Sequence, residues 1–233
     1  MRRTGMIRAV LFDLDDTLID TTSAIRTAAR SATADMAPSL DDEACATWWV
    51  DPGGYFAAYD RGELSFAEQR EARLVRLCSE HGLPDLDEAG RRRWLDHYER
   101  ALVAASRAFD DVPTCLRALE AQPLGIVTNI AAAPQLAKLR TAGLDGVFEV
   151  VLGVDSFGVR KPSPEGFLAG CAALGVQVTE AAYIGDLLDT DARGAAAAGL
   201  CGIWLDRTGS APTPPDVERI RSLAELPALL GVG

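Results

Sequence analysis

An apolar run from Ile7 to Phe12 gives way to the polar stretch Asp13-Leu14-Asp15-Asp16-Thr17-Leu18. A short continuous apolar run of this kind predicts a strand buried on both faces, as in a parallel sheet. From about residue 21 to 102 the pattern changes to a helical period with little strand signal. Helices are predicted over 21–36, over 44–59 around a turn at Asp51-Pro52-Gly53-Gly54, from Ser65 to about His81, and over 88–105. Ser65 three residues before Glu68 is a capping-box pattern, and Gly82-Leu83-Pro84 ends the helix that it starts. The last helix carries Trp94, Leu95, Tyr98 and Leu102 on one face.

From Asp110 onward strands and helices alternate. Strands are predicted at 124–127, 148–152, 181–184 and 201–205, with helices at 113–121, 134–142, 164–174 and 190–198 between them. Gly143, Gly175 and Gly199 fall where helices commonly stop. Residues 210–216 read as a proline-rich loop and 217–230 as a terminal helix. The alternation implies an α/β core, residues 1–20 and 103–233, with a parallel sheet and helices on both faces. Residues 21–102 read as a small all-helical domain inserted after the first strand and expected over the carboxyl end of the sheet.

Composition narrows the class. The 233 residues are 48% hydrophobic, enough for a sizeable core. A net charge of −11 argues against nucleic acid or an anionic membrane as partner. Five scattered cysteines without a CxxC pair suit reduced thiols, and two isolated histidines give no zinc pattern. No apolar stretch reaches membrane-spanning length, so a cytoplasmic protein is expected, monomeric or homodimeric.

The polar residues at the strand ends carry the chemistry. Asp13, Asp15 and Asp16 follow the first strand, Thr128-Asn129 the second, Lys161 a loop after the third, and Gly185-Asp186 with Asp191 the fourth. Ligands of open α/β sheets bind at the carboxyl ends of strands. Crowded carboxylates repel one another, and a divalent cation is the usual reason for placing them together. A carboxylate can attack phosphorus, and a second carboxyl two residues on can protonate the leaving oxygen and then activate water. A threonine hydroxyl, backbone N–H groups and a lysine can hold phosphoryl oxygens.

These motifs, in this order, resemble those of the haloacid dehalogenase (HAD) superfamily of aspartate-nucleophile hydrolases, whose core is Rossmann-like. Asp13-Leu14-Asp15-Asp16-Thr17 is similar to its DxDxT motif, Thr128 to the second, Lys161 before Pro162 to the third, and Gly185-Asp186 with Asp191 to GDxxxxD. The resemblance implies a phosphatase acting on a small phosphorylated metabolite with Mg2+. It makes Asp13 the nucleophile and a metal ligand, and Asp15 the general acid/base and a ligand through its carbonyl. It makes Asp186 the third ligand, and Asp191 a residue behind the ligands or joined to the metal through water; read locally, Asp191 is equally an N-cap or first-turn acid of the following helix. Thr128, the Asn129 amide and Lys161 would hold phosphate. The helical insertion would be a cap. Leu187 departs from the family pattern, which favours a small or polar residue there.

The superfamily's dehalogenases lack an acid two residues after the nucleophile, so Asp15 favours a phosphatase. The alternatives are a phosphomutase, usually DxDG where this chain has Asp16-Thr17, a dehalogenase of the same superfamily, and a non-catalytic phosphometabolite-binding protein. In the insertion, Trp48, Trp49, Tyr55, Phe56 and Tyr59 could form the domain's own core or a substrate pocket. Arg61, Arg70 and Arg73 could meet a second anionic group or form a solvated face paired with Glu63, Glu68 and Glu71.

Overall fold

A computed structural model describes residues 6–34, 36–38, 40, 45, 48–209, 214 and 216–232. The chain divides into two compact units, Met1–Asp20 with Arg107–Gly233, and Thr21–Ser106. The chain leaves and re-enters the first unit side by side, where the Asp20 N–H donates to the Arg107 carbonyl at 3.0 Å.

The first unit is an α/β core built on a six-stranded sheet of order β3-β2-β1-β4-β5-β6, parallel throughout. Its strands are β1 (Ala9–Phe12), β2 (Leu124–Val127), β3 (Val150–Leu152), β4 (Ala181–Gly185), β5 (Cys201–Leu205) and β6 (Glu218–Ile220). β1, β2 and β4 are buried throughout, which is why they read as unbroken apolar runs. Separate apolar clusters include Phe12, Ile126 and Ile184 in one, and Leu11, Val127, Phe167 and Tyr183 in the other. Strand order reverses between β1 and β4, the position at which open α/β sheets form a ligand crevice.

Two expectations for this unit are corrected. Residues 217–230 are not one helix. They form β6, a 3-10 turn at Leu223–Glu225 and a short helix at Leu226–Leu230. Ile220, Leu223 and Leu226 are all buried, and their spacing of three imitates a helical stripe. Residues 190–198 are likewise not one α-helix: Leu188–Arg193 is a π-helical turn that passes into a short α-helix, Gly194–Ala197. Adjacent Asp191 and Ala192 are both buried, and the wider turn lets both face inward. The predicted loop at 210–216 falls largely outside the described residues, as does the start of the helix predicted from Ala44.

The second unit is helical, with Thr21–Thr33, Tyr55–Asp60, Phe66–Glu80 and Glu88–Ala105. Ser65 and Glu68 form the reciprocal capping box. Trp48 is fully buried, with its ring 4.8 Å from those of both Trp94 and Tyr98. It is therefore core, and Tyr59 is buried as well. The solvated arginine face is only partly found. Arg61 pairs with Glu63 at 2.6 Å. Arg70 instead pairs with Glu99 and lies over the Phe66 ring. Arg73 is buried and donates through Nε to the Trp48 carbonyl at 2.7 Å, satisfying a backbone acceptor inside the core. Among the described residues no helix is long and apolar enough to cross a membrane.

Candidate active site

Sheet register gathers the site. Phe12 pairs with Ile126 on one side and Ile184 on the other, so Asp13 emerges between the ends of β2 and β4. The Asp13 N–H still bonds the Ile184 carbonyl at 2.8 Å, which anchors the residue to the sheet. The chain then turns sharply. Leu18 and Ile19 both donate to the Leu14 carbonyl, and Asp16 takes a left-handed φ of 56°, which aspartate tolerates better than most residues.

Lys161 arrives from the loop after β3 and is buried. Its Nζ donates to Asp13 Oδ1 at 2.7 Å, Asp191 Oδ1 at 2.7 Å and the Tyr183 hydroxyl at 2.5 Å. Tyr183 donates in turn to the Val127 carbonyl at 2.8 Å. Burial alone would push the Lys161 ammonium down, but Asp13 and Asp191 overcome it and hold its pKa well above the usual lysine value. The loop is held by Asn129, whose Oδ1 accepts from the Lys161 N–H at 2.7 Å while Nδ2 donates to the Lys161 carbonyl at 3.1 Å. The Asn129 side-chain amide thus supports the Lys161 backbone.

Asp191 is not the N-cap, which is Leu187, but an acid in the first turn of the π-helical segment. Its Oδ1 faces Lys161, and its Oδ2 accepts from the Leu187 N–H at 3.0 Å. A Cβ at Gly185 would lie 2.3 Å from the Asp191 carboxyl carbon, so glycine before Asp186 is a steric requirement. Leu187 contributes its backbone to this arrangement while its side chain is exposed.

Carboxylate oxygens of Asp13, Asp186 and Asp191 lie within 4.8 Å of one another. Burial, opposed by Lys161 and reinforced by Asp191 and Asp15, pushes the Asp13 carboxyl up to about 7. Burial, followed by the charges of Asp13, Asp191 and Asp16, pushes Asp186 up to about 8. Three carboxylates facing the Lys161 ammonium leave an excess of negative charge, and a hard cation with oxygen ligands fits that donor set. Both Asp191 oxygens already accept hydrogen bonds, so Asp13 and Asp186 are the better-placed side-chain donors. Thr17 Oγ1 lies 3.4 Å from Asp186 Oδ1, a weak contact that orients it.

Thr128 directly follows β2 and is buried. Its N–H bonds the Leu152 carbonyl at 3.0 Å, and its hydroxyl accepts from the Ile130 N–H at 3.3 Å. Asp15 stands apart from the carboxylate cluster, paired with Lys138 at 2.6 Å. Sequence reasoning missed Lys138, Gln135, Tyr183 and the support role of Asn129. A signal was available for the first two, which are polar residues three apart on one helix, Ala132–Thr141, that starts beside the site.

A family model for haloacid dehalogenase-like hydrolases matches residues 7–199. The chain belongs to that family. A glyceraldehyde 3-phosphate phosphatase of Methanopyrus kandleri is 31% identical over 87% of this chain and 85% of its own. A phosphoglycolate phosphatase of Yersinia pestis is 30% identical over 85% and 81%. The crystal structure of the HAD-hydrolase YfnB of Bacillus subtilis, bound to magnesium, superposes with a TM-score of 0.83 at 26% identity, covering 98% of this chain and 100% of that one. Family membership makes this protein a HAD-like hydrolase.

Proposed function

We propose that this HAD-like hydrolase is a magnesium-dependent phosphomonoesterase acting on a small phosphorylated metabolite through a phosphorylated Asp13. The observation that carries the reading is the pair Asp13 and Asp15 at the end of β1, each bonded to a different lysine. A dehalogenase has no use for the second acid, because a departing halide needs no proton. The relatives from Methanopyrus kandleri and Yersinia pestis, both phosphatases, point the same way.

Lys161 on Oδ1 fixes the rotation of the Asp13 carboxylate, leaving it oriented for attack on phosphorus. As the bond to phosphorus forms, the ester P–O bond breaks and the leaving oxygen takes a proton from the Asp15 carboxyl. Asp15, now a carboxylate, takes a proton from water. That water attacks phosphorus, breaks the bond to Asp13, and releases inorganic phosphate. Thr128, the Asn129 backbone N–H and Lys161 are assigned to the phosphoryl oxygens, and Asp191 to holding Lys161. Magnesium on Asp13, the Asp15 carbonyl and Asp186 would offset the repulsion between carboxylate and phosphate. We assign the role of cap, excluding water and selecting the leaving group, to the helical unit Thr21–Ser106.

Release of inorganic phosphate from a panel of phosphomonoesters, including p-nitrophenyl phosphate, tests this reading. Turnover with magnesium and none with EDTA is the expected result, and the best panel member defines the substrate class. A folded protein silent on every member would overturn the phosphatase reading.

Metal binding should also show a distinctive pH dependence. Carboxyls with folded-state values near 7 and 8 hold protons that the unfolded chain has lost above about 4. Without metal, the stability that these protonated forms confer at low pH is lost as pH rises through those values. Magnesium binds the deprotonated forms, so it should raise the melting temperature more at pH 8 than at pH 6. The expected rise at pH 8 is roughly 5–10 °C at a hundredfold excess over Kd. Scanning calorimetry at the two pH values measures it, and an equal shift at both would refute the assignment.

A further inference from the structure

Asp15 is held at both carboxylate oxygens from a single helix. Lys138 Nζ donates to Oδ1 at 2.6 Å, and Gln135 Nε2 donates to Oδ2 at 2.7 Å. The same Gln135 nitrogen lies 3.1 Å from the Thr128 hydroxyl. Gln135 is fully buried and Lys138 nearly so, whereas the Asp15 side chain keeps about a quarter of its surface open. A lysine in such a place loses its water shell, and only a close carboxylate makes the position tenable. Both donors project from Ala132–Thr141, one helical turn apart and on the same face.

We propose that Lys138 and Gln135 are positioning residues for Asp15, setting the orientation of the general acid/base relative to the phosphoryl group. This rests on the phosphatase reading above and goes beyond it. Asp15 lies in a tight turn, and without partners its carboxylate could rotate about its final side-chain bond. One donor on each oxygen removes that freedom. Because Gln135 also reaches Thr128, the acid/base and the hydroxyl assigned to phosphate share one support. Their separation is therefore set by the rigid helix as well as by the turn. Hydrolysis of the phosphorylated Asp13 is the step most sensitive to this, because the water must be deprotonated while lined up with the bond that breaks. With p-nitrophenyl phosphate the leaving group departs with little help, so a misplaced Asp15 should slow the second step far more than the first.

The test is stopped-flow release of p-nitrophenolate with magnesium, using wild type, Lys138→Met, Lys138→Arg, Gln135→Leu, Asp15→Asn and the double variant Asp15→Asn/Lys138→Met. Lys138→Met is expected to lower steady-state kcat by about 30-fold with KM changed less than about threefold. It should show a burst approaching one p-nitrophenolate per active site, and Lys138→Arg should recover most of the rate. In the Asp15→Asn background, Lys138→Met should add less than about twofold, since its effect runs through Asp15. If Lys138→Met does not fold, Gln135→Leu should give the same burst with a smaller loss and no further loss beside Asp15→Asn.

A Lys138→Met enzyme as fast as an active wild type overturns the inference alone. So does a loss confined to KM, which would make Lys138 a direct phosphate contact, or a loss that multiplies with Asp15→Asn and shows no burst. Absence of turnover by folded wild type overturns the phosphatase reading and this inference with it.

Discussion

Asp13→Asn is expected to lower phosphate release by about 10⁴-fold or more, with the fold retained. The amide oxygen of asparagine can still accept from Lys161 Nζ, which now sits 2.7 Å from Asp13 Oδ1, so the buried lysine keeps a partner. What is lost is the anionic oxygen that attacks phosphorus. One negative charge also leaves a crowded site in which burial already holds Asp13 up to about 7. The variant's melting temperature without metal should therefore fall little at pH 8, where the charge is present in wild type. Steady-state phosphate release and a melting curve measure the two effects. An Asp13→Asn enzyme within tenfold of wild type would remove Asp13 from the nucleophile's role.

Lys161→Met should be the more damaging change to the protein itself. Lys161 donates to Asp13, Asp191 and Tyr183 from a buried position. Its loss leaves Asp13 and Asp191 facing each other and Asp186 without the internal cation. Removing one partner of a buried ion pair costs about 3–5 kcal/mol. For a chain of this size that corresponds to roughly 10 °C in melting temperature. The deficit has a pH signature. Lys161 opposes the upward push on Asp13, so without it the carboxyl holds its proton to higher pH in the folded state. Stability of the variant should then fall more steeply than that of wild type as pH rises from 6 to 8, and magnesium should restore part of it. Turnover should fall by about 10³-fold, because the carboxylate loses its orientation and the phosphoryl group loses a cation. A melting temperature within about 2 °C of wild type at pH 8 would show that Lys161 does not support the cluster.

The sequence by itself determined the parts of this protein that local physics controls. Long periodic segments are legible in it: the helix Glu88–Ala105 begins and ends where its pattern does, and Ser65 with Glu68 marks a real helix start. Buried parallel strands show as apolar runs, so the hydrophobic pattern alone places the strand ends, and with them Asp13, Thr128 and Asp186. Tertiary structure alone decided what those side chains touch. Lys161 meets Asp13 across 148 positions and Lys138 meets Asp15 across 123, separations at which no local periodicity carries information. The same limit explains the errors. Ile220, Leu223 and Leu226 repeat every third residue, whether they line a helix or, as here, step from a strand through a 3-10 turn. Asp191 reads locally as a first-turn acid, and it is one. It became the support of Lys161 only because the π turn and the bare backbone of Gly185 let its carboxylate fold back against the sheet. Local patterns reveal which residues reach the carboxyl ends of the strands. Which donor meets which carboxylate there is set by sheet order and helix placement, and these are properties of the whole chain.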